Sequence, residues 1–224
     1  LMKMVRDHQP GIISNNRLYA ITPPKESANA ERLKEWKVEH GDITTPEQHI
    51  PSTGVEGVDW EVCMTMNTTW GYSEHDQAWK SNETLIQNLI DIVSKGGNYL
   101  LNIGPKGDGT VPEPSLQAME AIGRWMDING ESIYGTNASP YGKPDWGRFT
   151  KNEQTFYAHV FQWPEDGKLL IKGKGIRASR AYLLEAKEKP LQIEQTPDGL
   201  LVHVPFQAPD GIASVVAIDY QSSN

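Results

Sequence analysis

Aromatic and acidic side chains crowd one short stretch of this chain: Trp60 and Glu61 side by side, then Trp70 and Tyr72 ten residues on. Flat aromatic faces beside carboxylates suit the holding and cleaving of a sugar. A ring packs against the apolar face of the pyranose, and carboxyl groups attack the anomeric carbon or move protons. Other chemistries are poorly supplied. His40, His49 and His75 fall in no HxxxH spacing and the carboxylates around them are scattered, so no metal site is expected. The glycines of GPKGDG, residues 104–109, lack the GxxxxGK[ST] order of a phosphate loop and read as a turn, so no cofactor is expected. The single cysteine, Cys63, lies in an apolar run and reads as a small buried hydrophobe, with no partner for an intramolecular disulfide.

The elements that must position these groups can be read from periodicity. Residues 1–8 have the apolar spacing of a helix end, stopped by Gln9-Pro10-Gly11. GIISNNR, residues 11–17, reads as a short parallel strand. In a (β/α)₈ barrel the C-terminal strand ends carry the chemistry, which would aim Asn15, Asn16 and Arg17 at the site. A long irregular segment, 18–58, is of the kind that is functional when it occurs in a compact domain. Residues 60–66 alternate as a strand. Ser81 caps the helix that follows, with Glu83 in its first turn and Leu85, Ile86, Leu89, Ile90 and Val93 as its buried stripe. After Gly96-Gly97, residues 98–103 form an almost wholly apolar strand, expected to be covered on both faces. A second helix opens at Glu113 or Ser115, with Leu116, Met119, Ile122, Gly123 and Met126 on one face. Beyond Gly135, β-rich runs at 155–161, 168–172, 181–185, 200–204 and 215–220 are separated by Pro-Asp-Gly and similar turn signals. The expected architecture is therefore α/β, the second half of a (β/α)₈-like TIM barrel over residues 1–138, followed by an all-β antiparallel sandwich over 139–224.

The wording is also specific. WEVCMTMNTTWGY, followed by VSKGGNYLLNIGPKGDG, closely resembles the retaining α-L-fucosidases of glycoside hydrolase family 29, and the resemblance covers nearly all of the first part. It implies hydrolysis of terminal α-L-fucosyl residues by double displacement, which needs two carboxyl groups about 5 to 5.5 Å apart. In the family the nucleophile is an Asp at the end of an earlier strand, which is not expected within these residues. The acid/base lies in a loop segment like DxxTxE. DITTPE, residues 42–47, matches it and makes Glu47 the acid/base candidate, with Glu56 in reserve. Arg17 fits the family's strand-end arginine beside the catalytic carboxylates, and Trp70 an aromatic that lines the fucose pocket. Glu61 reads as a supporting group that pairs with a neighbouring donor.

Composition limits the alternatives. The 224 residues are 38% hydrophobic, enough for a sizeable core. A net charge of -8 without a basic cluster argues against nucleic acid as partner. No apolar run reaches the roughly 18 to 20 residues of a membrane span, and the first residues lack the pattern of a signal peptide or an initiator Met, so the chain reads as part of a longer protein. The resemblance implies a periplasmic, secreted or lysosomal setting; the sequons at Asn67, Asn82 and Asn137 would matter only in a eukaryotic secretory host. The expected partners are a fucosylated glycan and the missing first half of the barrel, since half a barrel leaves unpaired strand edges and an open apolar interior that a companion fragment or a homo-oligomer would have to cover. Two other functions fit: a non-catalytic carbohydrate-binding fragment, and a relative acting on another fucose-like sugar.

Overall fold

The structure, a computed structural model, describes residues 2–19, 41–54, 59–139, 141–173 and 177–220. Helix α1 (Met2–His8) ends where the Pro-Gly pair requires. The strand expected next is reduced to one parallel bridge, Asn15 to Ile43, followed by a 3-10 turn at Asn16–Tyr19. Side-chain acceptors intervene here, one local and one distant: the amide oxygen of Asn15 accepts from Arg17 N at 3.1 Å and that of Asn16 from Thr45 N, 29 residues on, at 2.9 Å. Such side-chain acceptors compete with a backbone ladder.

Strands β1 (Ile43–Thr44), β2 (Asp59–Thr65) and β3 (Gly97–Asn102) form a parallel sheet in that order. Helix α2 (Asn82–Val93) crosses from β2 to β3, and Ser81 Oγ caps it by accepting from Thr84 N at 3.1 Å. Alternation along β2 sends Trp60, Val62 and Met64 into the core with Ile92 of α2, and turns Glu61 and Cys63 to the opposite face. Trp60, expected near a sugar, is therefore a core residue, 4% exposed. A Cβ at residue 97 would lie 2.5 Å from its ring, so only Gly97 lets β3 pair beside it.

Two further expectations fail for one reason, that neighbours in space decide burial. Strand β3 is not covered on both faces: Leu100 is 52% exposed on the face it shares with Cys63, while Tyr99 and Leu101 pack toward the core. Helix α3 (Glu113–Asn129) buries Ser115, Ala118, Trp125 and Asn129; of the expected face, Ile122 and Met126 pack against the core while Leu116 and Met119 stay exposed. Its inward face is set by anchors that a count of apolar residues misses. Ser115 Oγ donates to Ile103 O at 3.0 Å and Trp125 Nε1 to Ala213 O at 2.9 Å.

The remaining strands are β4 (Asn137–Ala138), β5 (Gly147–Lys151), β6 (Thr155–Val160), β7 (Lys168–Lys172), β8 (Ala178–Leu183), β9 (Pro190–Leu191), β10 (Ile193–Thr196), β11 (Gly199–His203) and β12 (Ser214–Tyr220). They make a six-stranded sheet, β4-β5-β6-β12-β8-β9, and a three-stranded one, β10-β11-β7, all antiparallel. Phe156, Ala158, Val216 and Ile218 of the larger sheet face Leu169, Ile171, Leu200 and Val202 of the smaller. The residues that alternate with them in sequence, Tyr157, Val215 and Ala217, face the other way and pack on Ile86, Ile90 and Trp125 of α2 and α3. The central strands β6 and β12 of the larger sheet are thus buried on both faces, and α2 is pressed between two sheets. That position explains why Ile92 is buried beside the stripe expected from periodicity, while Leu89 and Val93 are only partly covered. The parallel β/α segment followed by antiparallel sheets is the architecture expected from the sequence.

Candidate active site

The face of the parallel sheet that turns away from α2 opens on a cavity of about 370 Å³ lined by Asn15, Arg17, Thr45, Glu47, Glu61, Cys63, Trp70 and Leu100. Its centre is an ion pair, Arg17 Nη2 to Glu47 Oε2 at 2.8 Å. Both side chains are nearly half exposed, so the carboxylate stays open to a ligand. Arg17 is held from its other side too. Its Nε donates to Thr45 Oγ1 at 3.0 Å, and Thr45 Oγ1 donates to Asn16 Oδ1 at 2.7 Å. The chain of contacts Asn16, Thr45, Arg17, Glu47 transmits the rigidity of a buried amide to the exposed carboxylate. The hydrogen bond that Arg17 donates to Glu47, set against partial burial and helped by Cys63, pushes the guanidinium above its ordinary range, so it remains a cation.

Glu47 is not on a free loop. It forms a parallel bridge to Cys63, with Cys63 N donating to Pro46 O at 3.2 Å and Gln48 N to Cys63 O at 3.0 Å. Directly after it, Gln48 takes a positive φ of 55°, an uncommon conformation for a residue with a side chain. The Gln48 amide secures that turn by donating to Thr65 Oγ1 at 2.9 Å and accepting from Thr65 N at 3.3 Å. Cys63 lines the cavity instead of lying in the core, and its thiol sits 3.3 Å from Arg17 Nη2. Burial pushes that thiol up, which Arg17 only partly offsets, so it is a neutral neighbour and not a ready nucleophile.

Trp70 occupies the turn after β2, is 41% exposed, and lines the same cavity. The structure thus brings Arg17, Glu47 and Trp70 together. Glu61 lines the cavity as well, but no donor among the described residues reaches its carboxylate, so the pairing expected for it is not formed within them. Asn15 lines the site, whereas Asn16, expected to point into it, is buried and acts through Thr45. Glu56 and His40 lie outside the described residues. Among the described residues no group of three His, Cys, Asp or Glu side chains is placed to hold a metal ion. Sequence reasoning missed Thr45 and Leu100 as lining residues. Thr45 carried a signal, since it lies within DITTPE; Leu100 read only as strand core.

The chain is similar to proteins of one family. The family profile described as Alpha-L-fucosidase matches residues 7–131. Among curated proteins, the tissue alpha-L-fucosidase of Mus musculus is 35% identical over 203 residues, 86% of this chain and 44% of that protein. The alpha-L-fucosidase of Dictyostelium discoideum is 33% identical over 188 residues, 78% of this chain and 40% of that protein. Among solved structures, alpha-L-fucosidase isoenzyme 1 from Paenibacillus thiaminolyticus superposes with a TM-score of 0.83 at 34% identity, over 98% of this chain and 52% of that one. A family 29 alpha-L-fucosidase from Bacteroides thetaiotaomicron, solved as a trapped covalent intermediate with 2-fluoro-fucosyl fluoride, gives 0.82 at 26% identity over 98% and 51%. The chain spans about half the length of the relatives it matches. With a profile that matches more than half of its residues and an architecture shared over nearly its whole length, this chain belongs to the alpha-L-fucosidase family, glycoside hydrolase family 29.

Proposed function

We propose that this chain is the second half of a retaining α-L-fucosidase, with residues 1–138 completing the catalytic barrel and 139–224 forming its sandwich. The observation that carries the reading is the Glu47 carboxylate, fixed by Arg17 at 2.8 Å and opening on a cavity with Trp70 in its wall. In the first step an aspartate from a segment outside these residues attacks the anomeric carbon. The glycosidic C–O bond breaks, and the Glu47 proton passes to the departing oxygen. In the second step Glu47 takes a proton from water as that water attacks the same carbon and releases the aspartate. Trapping of the Bacteroides relative as a covalent intermediate supports two steps. Arg17 orients Glu47, and the Trp70 ring takes the apolar face and methyl of fucose.

General acid assistance is typically worth about 10² to 10⁴ in rate. In the complete protein, Glu47→Gln should therefore cut turnover of natural fucosides by that order, while fucosides with acidic phenol leaving groups, which need little protonation, lose much less. Equal losses on both substrate classes would move the acid/base role to Glu56. The 224-residue chain by itself is expected to show no hydrolysis, because it supplies one of the two carboxyl groups.

A further inference from the structure

Trp70 has no regular element to hold it. It sits in the turn 67–71, between β2 and the approach to α2, yet its ring must stay against the cavity to serve a sugar. The turn is tied down by one carboxylate. Asp76 Oδ2 accepts from Thr68 N at 2.9 Å, Thr68 Oγ1 at 2.7 Å and Thr69 Oγ1 at 3.2 Å, while Asp76 Oδ1 accepts from Ala78 N at 3.1 Å. On the far side, Asn102 Nδ2 at the end of β3 donates to Trp70 O at 2.6 Å. The residues immediately before Trp70 and its own carbonyl are thus clamped from two directions. Four donors, led by the Thr68 hydroxyl, hold the Asp76 carboxyl down to about 2, so the clamp is ionised at pH values well above that.

We propose that Asp76 is a positioning residue for the sugar pocket, holding the Trp70 ring in place through Thr68 and Thr69. The inference rests on Trp70 being part of the fucose site, as proposed above. Among the described residues the Asp76 carboxylate accepts hydrogen bonds from Thr68, Thr69 and Ala78, none of which lines the cavity. It bears on ground-state and transition-state contacts of the ring alike, and so on KM and ligand affinity more than on kcat.

A double-mutant cycle tests it in the complete protein, with Trp70→Ala, Asp76→Ala and the pair, read as KM and kcat on an aryl α-L-fucoside and as the inhibition constant of free L-fucose. Trp70→Ala should raise KM and the fucose constant about tenfold, the value of one well-placed aromatic contact of order 1.4 kcal/mol. Asp76→Ala should raise both at least threefold with kcat within about twofold, and should add nothing in the Trp70→Ala background. Thr68→Val, which keeps the backbone donor and loses the hydroxyl, is the milder probe should Asp76→Ala fail to fold, and should show the same pattern at smaller size. Full additivity of Asp76→Ala or Thr68→Val with Trp70→Ala, or a fall in kcat with KM unchanged, overturns the positioning role alone. No effect of Trp70→Ala on either constant removes the pocket assignment, and this proposal with it.

Discussion

At the scale of single residues, one strongly constrained titratable group lies outside the candidate cavity. His159 on β6 is fully buried between the larger antiparallel sheet and α3, with its ring stacked on Trp125 at 6.3 Å between centroids. Thr150 Oγ1 donates to Ser132 O at 2.6 Å, so it accepts from His159 Nε2 at 3.0 Å, while Nδ1 has no partner among the described residues. Burial drives this imidazole down from 6.5 to about 3, only slightly opposed by the backbone. The folded state therefore keeps His159 neutral where the unfolded chain takes up a proton, and stability is lost as pH falls below about 6.5. Integrated from pH 7.5 to pH 5, the loss is about 2 kcal/mol. Urea unfolding at the two pH values should show it, and His159→Gln should remove that much of the difference whatever it does at pH 7.5. An unchanged difference in the variant would mean that His159 finds a counter-charge or water when protonated.

At the scale of elements, the joint between α2 and the sandwich depends on a part-buried ion cluster. Asp91 of α2 accepts from Lys95 Nζ at 2.7 Å and from Arg148 Nε of β5, all three side chains being no more than 16% exposed. Burial alone would raise the Asp91 carboxyl, but the two cations outweigh it and hold it below its ordinary range. Its contribution is thus present above the ordinary carboxylate range and lost as pH falls through the lowered value. Asp91→Ala removes the counter-charge of two part-buried cations, which keep only backbone acceptors at Pro51 and Gly147, and should cost about 3 kcal/mol in denaturant unfolding. A loss below about 1 kcal/mol would reduce the cluster to the worth of a surface pair. Periodicity found α2, β2 and most sandwich strands because their buried residues are apolar and evenly spaced. It caught only part of the inward face of α3, Ile122 and Met126, because Ser115 and Asn129 are buried by hydrogen bonds, and the Asn129 amide donates to Trp125 O at 3.0 Å. Strand β5 was passed over because Arg148, Thr150 and Lys151 look like surface; Thr150 is in fact fully buried, and Arg148 is spent on Asp91.

At the scale of the whole molecule, the two faces of the parallel sheet are unequal. One is sealed by α2 and, behind it, by the sandwich; the other carries Glu61, Cys63 and a half-exposed Leu100. Among the described strands β3 pairs only with β2, and α3 presents Leu116 and Met119 to solvent. An unpaired parallel edge beside exposed apolar side chains favours association. At micromolar concentration the 224-residue chain alone should sediment as oligomers or a broad distribution, and co-expression with the first half of a family barrel should convert it to one discrete species. A stable, monodisperse monomer of the chain alone would show that this face needs no cover.

From the sequence by itself come the family, the α/β-then-β order and the identity of Arg17, Glu47 and Trp70 as candidates, since all of these rest on local wording and on spacings of two or 3.6 residues. Only the tertiary structure decided that Glu47 is braced by Arg17 across 30 positions of chain, that Cys63 belongs to the cavity while Trp60 belongs to the core, and that Asp76 anchors the turn beneath Trp70. The reason is physical. Periodicity records which side of an element a residue occupies, but burial and hydrogen bonding depend on what other elements bring to that side, and those neighbours come from distant parts of the chain.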